Sequence, residues 1–200
     1  MISIYKIKPK FQQLLKPVLV LLNKYSITAN QITISAIFLS LLIGLSFWFS
    51  SNFQLLFLIV PIGLLIRMAL NALDGMMART YDQQSKLGEV LNEVGDVISD
   101  LFIYFPLLKI FSQDLYLVAL FLVLTVLNEF SGLIGKIISQ ERRYDGPMGK
   151  SDRAFVISIV AILLFFDINI FEYSTWVFIV LNSLIAISTY KRLSNSLHNV

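Results

Sequence analysis

Along the 200 residues, long apolar runs alternate with short polar ones in a pattern that reads as membrane-spanning helices. Six segments approach the ~20 residues that a helix needs to cross a bilayer, at 32–49, 55–73, 88–110, 115–138, 154–170 and 175–190. Glycine and proline are sparse inside them. Pro61 and Gly63 in the second, and Pro106 late in the third, mark expected kinks, which membrane helices tolerate. Residues 2–25 follow another pattern, with Lys6, Lys8, Lys10, Lys16 and Lys24 spaced among Ile, Phe, Leu and Val. That stretch is too charged to span. It reads as an amphipathic helix lying in the interface, or as a plain basic flank on the same side. Thr28 or Asn30 supplies the side-chain oxygen that caps the first spanning helix. The expected fold is an all-α integral membrane protein with six transmembrane helices and an N-terminal amphipathic interfacial helix. Residues 1–25 form the juxtamembrane helix and 26–200 a single six-helix domain.

Composition agrees. The chain is 56% hydrophobic and 14% charged, with a mean hydropathy of +0.75, a balance of polytopic membrane proteins rather than soluble globules. It has no cysteine, which excludes a disulfide framework and a thiolate metal site. The first residues are not expected to be a signal peptide, because lysines interrupt them and no small-residue cleavage site follows an apolar core. The net charge of +3 is small, and its distribution speaks of topology, not of nucleic acid. With six spans both termini share a side, and of the 16 basic residues only Lys109 falls at the other face. The bias makes the lysine- and arginine-rich side cytoplasmic. The expectation is a multi-pass protein of a bacterial inner (cytoplasmic) membrane, with both termini and the polar motif described next facing the cytoplasm.

That motif lies where the second and third apolar segments meet. It reads Asn71-Ala-Leu-Asp74-Gly75-Met-Met-Ala78-Arg79, then eight residues, then Gly88, Asn92 and Asp96, with Glu89, Glu93 and Asp100 interspersed. Ionisable groups at membrane depth are costly and are functional candidates by default. Asn71 and Asp74 are i, i+3 at the end of one helix, and Asn92 and Asp96 are i, i+4 at the start of the next, so each pair shares a face. The polar run 80–86 turns the chain back. Four oxygen-bearing side chains would then converge as a hard cation such as magnesium requires, while Gly75, Ala78 and Gly88 leave room for close approach.

The stretch resembles the signature of the CDP-alcohol phosphotransferase family, D-x-x-D-G-x-x-A-R, eight residues, G-x-x-x-D-x-x-x-D. Asp74, Gly75, Ala78, Arg79, Gly88 and Asp96 fall on matching positions, and the eight-residue gap is kept. Asn71 and Asn92 stand where the family has its first and third aspartates. Within the family the chain is similar to the bacterial phosphatidyltransferase-like branch with asparagines in this motif. The resemblance implies a transferase of phospholipid biosynthesis that moves a phosphatidyl group from CDP-diacylglycerol to an alcohol, phosphorylated or not, and releases CMP. It implies Mg²⁺ or Mn²⁺ held by Asp74, Asp96, Asn71 and Asn92, with Asp96 as general base, and a homodimer among membrane lipids. It also implies nucleotide and phosphate contacts from Gly75, Ala78, Arg79 and Gly88, and from Asn30 and Thr33 before the first span, where Ala29 replaces the family's proline.

Two asparagines halve the site's negative charge. Glu89, Glu93 and Asp100 lie within about a third of a turn of the Asn92–Asp96 stripe, so one of them could restore it. A second basic cluster, Arg142, Arg143, Lys150 and Arg153 around Gly146-Pro147-Met148-Gly149, reads as an acceptor-binding patch (Lys150, Arg153 and Arg142) or as topological flanking charge. Two cations three residues apart repel unless an anion or a carboxylate lies between them. The Gly-Lys-Ser string at 149–151 lacks a P-loop's leading glycine and strand. Glu129, alone in the fourth span, either touches a polar cavity or pairs with Arg67 or Lys136. Alternatives are a catalytically weak relative that binds nucleotide-lipid, and a small transporter, which would show midplane charges and paired broken helices.

Overall fold

The computed structural model describes residues 8–198. The part of the amphipathic segment at 2–7, with Lys6, lies outside the described residues. The chain divides into two compact units, Met1–Ile103 and Tyr104–Val200.

In the first unit, α1 (Lys8–Lys24) precedes α2 (Ala29–Phe49), α3 (Leu56–Thr80) and α4 (Lys86–Tyr104). Thr28 starts α2 with a capping box, its hydroxyl accepting from the Gln31 N–H while the Gln31 side chain accepts from the Thr28 N–H. Of the two candidate caps, Thr28 is the one used. Along α2, Ala36, Ser40, Ile43 and Phe47 are buried, whereas Phe38, Leu42, Leu45 and Phe49 are exposed. Both stripes repeat at i, i+4, i+7, i+11, so the helix is apolar inside and outside, as a lipid-facing helix is. Such helices gain no hydrophobic drive from meeting each other, and small residues let them pack closely. Gly63 of α3 does so, since a β-carbon there would lie 2.5 Å from Ile43 Cγ1. Gly44 is tighter still, meeting the Phe102 carbonyl. With 25 residues α3 is about 37 Å long against a ~30 Å hydrocarbon core. Its last turns, which carry Asn71 to Arg79, can therefore reach polar depth.

The second unit opens on α5 (Leu107–Ile110) and a 3-10 turn (Ser112–Asp114), then α6 (Leu115–Ser139), α7 (Lys150–Phe165) and α8 (Phe171–His198). Between α6 and α8, Phe121 and Phe178 stand 6.0 Å apart and Phe111 lies 5.3 Å from Phe178. Buried Asp114 accepts from Ser174 and from Thr175 Oγ1 (2.6 Å), fastening the start of α6 to the start of α8.

The run expected as one span at 88–110 is interrupted. Helix α4 stops at Tyr104 and α5 restarts at Leu107, because Pro106 has no N–H and its ring disfavours the helical conformation at Phe105. The run expected at 154–170 forms earlier, over Lys150–Phe165, and ends before Asp167, whose φ is 53°. Among the described residues, four stretches are long and apolar enough to cross a membrane: Ala29–Phe49, Leu56–Thr80, Ser112–Ser139 and Phe171–His198. Helix α4 carries Lys86, Glu89, Glu93, Asp96 and Asp100, and α7 has 16 residues, so these two do not qualify by length and composition alone.

Candidate active site

In the first unit the motif is assembled from α2, α3 and α4. Asp74 is buried on α3, and its Oδ2 accepts from Thr33 Oγ1 at 2.9 Å. The same hydroxyl lies 3.1 Å from the Ala29 carbonyl, one turn back. Thr33, expected beside the nucleotide, donates to this carboxylate and fixes its orientation. Across the hairpin, Asn71 Nδ2 donates to Asp96 Oδ1 at 3.3 Å. An amide can donate to a carboxylate where a second carboxylate could only repel it. Gly88 lies against α2, since a β-carbon there would meet Asn30 Oδ1 at 2.7 Å. Gly95 lies equally close to Ile37. The Gln83 side chain accepts from the Ala29 N–H at 2.8 Å, tying the α3–α4 turn to the start of α2. Arg79 is exposed, and its guanidinium lies over Gly75, one turn back, where a β-carbon would meet Nη1 at 3.3 Å.

One turn before Asn71 on α3 and one turn after Asp96 on α4 is an ion pair. Arg67 Nη2 lies 2.9 Å from Asp100 Oδ1, both side chains 3% exposed or less, and 3.4 Å from the Asp96 carbonyl. Asp100 therefore has a cation of its own and is not spare negative charge for the motif. Glu89 is exposed and Glu93 half-buried. Among the described residues no three His, Cys, Asp or Glu side chains form a ready cation cage, as expected with amides at positions 71 and 92. The donor set still fits magnesium. It offers two carboxylates and amide oxygens, all hard donors, and Mg²⁺ is commonly bound by one or two carboxylates plus water and substrate phosphates.

The second unit holds the other cluster. Arg153, fully buried at the start of α7, donates from Nη2 to Glu129 Oε1 at 2.7 Å and from Nη1 to Asn128 Oδ1 at 3.1 Å. Arg142 Nη2 reaches Glu129 Oε2 at 2.9 Å. Glu129 is therefore paired with Arg153 and Arg142, and Arg67 is paired elsewhere. The carboxylate whose absence would have left the cations repelling one another is present, supplied by α6. Buried Arg192 of α8 donates to the Asn128 carbonyl at 2.6 Å and to the Asp145 carbonyl at 3.4 Å. Two guanidinium groups thus flank one carboxylate, with a third on the backbone carbonyls of Asn128 and Asp145. Lys150 is only half-buried, and Asp152 is spent on the Gly149 N–H at the start of α7. Arg143 lays the loop over α6, its N–H donating to the Gly132 carbonyl at 3.3 Å. Asn128 and Arg192 carry no signal in the sequence as parts of these clusters, and Asp100 none of its pairing with Arg67. Their partners lie 25 or more residues away, beyond any helical spacing.

A sequence model described as CDP-alcohol phosphatidyltransferase matches residues 26–188. The chain is 50% identical over 157 residues to the inner membrane protein YnbA of Escherichia coli (strain K12), covering 78% of each chain. It is 35% identical over 100 residues to an archaetidylinositol phosphate synthase of Pyrococcus horikoshii, covering half of each. An uncharacterized protein of Aquifex aeolicus is 32% identical over 95 residues, or 48% of this chain and 46% of the other.

Proposed function

For a chain that belongs to the CDP-alcohol phosphatidyltransferase family, and hence to the enzymes of phospholipid synthesis in membranes, we propose transfer of a phosphatidyl group from CDP-diacylglycerol to an alcohol, with release of CMP. The observation that carries this reading is that the α3 turn bearing the motif brings Asp74 to Thr33 of α2 and Asn71 to Asp96 of α4, within one unit. Asp96 removes the proton of the acceptor hydroxyl. The acceptor oxygen bonds to the phosphorus that bears the diacylglycerol, and the bond from that phosphorus to CMP breaks. Arg79, on an exposed turn beside Gly75, neutralises diphosphate oxygens with its planar fork. Gly75, Ala78 and Gly88 leave space for the nucleotide, with Asn30 at its edge. Asp74, Asp96 and the amide oxygens of Asn71 and Asn92 would hold Mg²⁺ or Mn²⁺, which shields the diphosphate charge. Most of the rate then comes from positioning and charge neutralisation.

The acceptor is an anionic, phosphorylated alcohol in this reading. Arg142 and Arg153 share Glu129 as their one carboxylate, with Arg192 held nearby on the Asn128 carbonyl, so an incoming phosphate completes their neutralisation. Arg153 acts from behind, through Glu129, and Lys150 and Arg142 make the contact. With six spans, and the lysine- and arginine-rich side cytoplasmic, the motif would face the compartment where nucleotide-activated lipid is found.

The test is CMP release by purified protein given CDP-diacylglycerol, Mg²⁺ or Mn²⁺, and a panel of phosphorylated and neutral alcohols. Turnover with a phosphorylated acceptor, and a half-saturating acceptor concentration that rises in Lys150→Gln while that of the CDP-lipid holds, supports the reading. Turnover with neutral alcohols alone removes the anionic acceptor. The direct Asn71–Asp96 contact favours one other reading, a relative that binds nucleotide-lipid without efficient turnover; CDP-lipid binding without CMP release would identify it.

A further inference from the structure

Helix α1 has three faces. At 100° per residue, Phe11, Leu15, Leu19 and Leu22 fall within one sector, and these side chains are wholly or partly buried. Leu19, 4% exposed, packs with Leu73, Met76 and Met77 of α3, and Leu15 and Leu22 lie against the same cluster. A second sector holds Leu14, Val18, Leu21 and Tyr25, spaced i, i+4, i+7, i+11, and these are 76, 41, 52 and 69% exposed. The third holds Lys10, Lys16 and Lys24, all exposed, with Gln13, Pro17 and Val20, which are exposed as well. No acidic residue occurs in Lys8–Lys24.

A row of large apolar side chains left open beside lysines has few stable surroundings. Water does not suit the row, and a second copy of the same basic helix would bring like charges together. A leaflet satisfies both, its acyl boundary taking the apolar row and its headgroups the lysines. Four residues separate α1 from the capped start of the apolar helix α2, which holds α1 at the depth where that helix begins.

We propose that α1 is a docking surface for anionic lipid headgroups, and that its seating braces the α3 turn that bears Asp74. Leu14, Val18 and Leu21 enter the acyl boundary, and Lys10, Lys16 and Lys24 stay at headgroup level. The contact is transmitted through Leu19 to Leu73 and Met77, on either side of Asp74 in sequence. The docking stands on the helix's own faces; the functional weight of the bracing rests on the role proposed for Asp74.

The chain's lack of cysteine makes it ready for spin labelling. Leu14→Cys and Gln13→Cys, each in the full chain, are labelled in phosphatidylcholine vesicles with and without one-third phosphatidylglycerol. Accessibility to oxygen and to a water-soluble nickel relaxant is then read. In anionic vesicles the label at 14 should be oxygen-accessible and the label at 13 nickel-accessible. Replacing Lys10, Lys16 and Lys24 with Gln should return the label at 14 to its neutral-vesicle value, at roughly five-fold in binding per lysine. Amide exchange over residues 73–79 should slow with anionic lipid in the wild type and not in the triple variant. Equal nickel access at both positions, or depth unaffected by lipid charge, overturns the docking. Unchanged exchange overturns the bracing. No readout depends on CMP release, so failure of the proposed activity would be a separate result.

Discussion

Asn71 opposite Asp96 makes a pair that is satisfied without a cation, and this changes what charge restoration should do. In Asn71→Asp a second carboxylate replaces the donor that now lies 3.3 Å from Asp96, and the two repel until a cation joins them. The variant should be less thermally stable than wild type without divalent ion and regain stability as Mn²⁺ is added, with half-maximal effect at a lower concentration than in wild type. A melting curve indifferent to Mn²⁺ would remove position 71 from the metal site. Asp96→Asn should preserve folding and CDP-lipid binding and lower CMP release by ~100- to 10,000-fold, the range of a general base. Near-full activity would remove Asp96 from the chemistry. The Arg67–Asp100 pair is buried on both sides. Breaking it with Arg67→Met alone should cost about 3–5 kcal/mol, while Arg67→Met with Asp100→Leu should recover most of that. Denaturation in detergent reads both; equal loss in single and double variants would show that the charges themselves are not the coupled element.

At the scale of elements, much was legible. The apolar runs announce the helices, Thr28 is one of the two caps named, and the turn back of the chain brings Asn71 to Asp96. Local periodicity is carried by neighbours along the chain, and a sequence displays that directly. What it does not display is which distant side chain answers a buried charge. Glu129 was visible as a buried glutamate, but its partners Arg142 and Arg153 come from a loop and from another helix, and the separations of 13 and 24 residues have no helical meaning. The α4–α5 break was underread for a related reason: a late proline in an apolar run can bend a helix or end it. The loop between α6 and α7 follows from the cluster beneath it. Gly146 has φ +95° and sits against Ser188, whose hydroxyl donates to the Asp145 carbonyl at 2.9 Å. Glu129→Gln should strand Arg153 in its buried site and cost about 3–5 kcal/mol, whereas Lys150→Gln, at a half-exposed position, should cost under ~1 kcal/mol. Comparable destabilisation by the two would mean that Glu129 is not the cluster's keystone.

At the scale of the molecule, the number of spans decides which loops face which way, and one residue separates the cases. If only the four long apolar stretches cross, exposed Glu141 and exposed Ser112 exchange sides relative to the six-span arrangement. Six spans put residue 141 with the N-terminal lysines and residue 112 opposite. Single cysteines at Glu141→Cys and Ser112→Cys, tested with an impermeant maleimide in spheroplasts, should label at 112 and stay protected at 141. The reverse pattern would establish four spans and return α4 and α7 to the interface.

Thr33, Arg67, Asn71, Asp74, Asn92, Asp96 and Asp100 all precede the boundary at Ile103. On the ribosome, the whole motif is therefore synthesised while the second half is still to come, roughly 5–20 s ahead of it at ordinary rates of elongation. Every hydrogen bond and ion pair described around Asp74 and Asp96 can close in that interval. A chain that ends just past residue 103 and is released into the bilayer should then already display these polar contacts, and a gene split between codons 104 and 106 would leave its motif whole on one polypeptide.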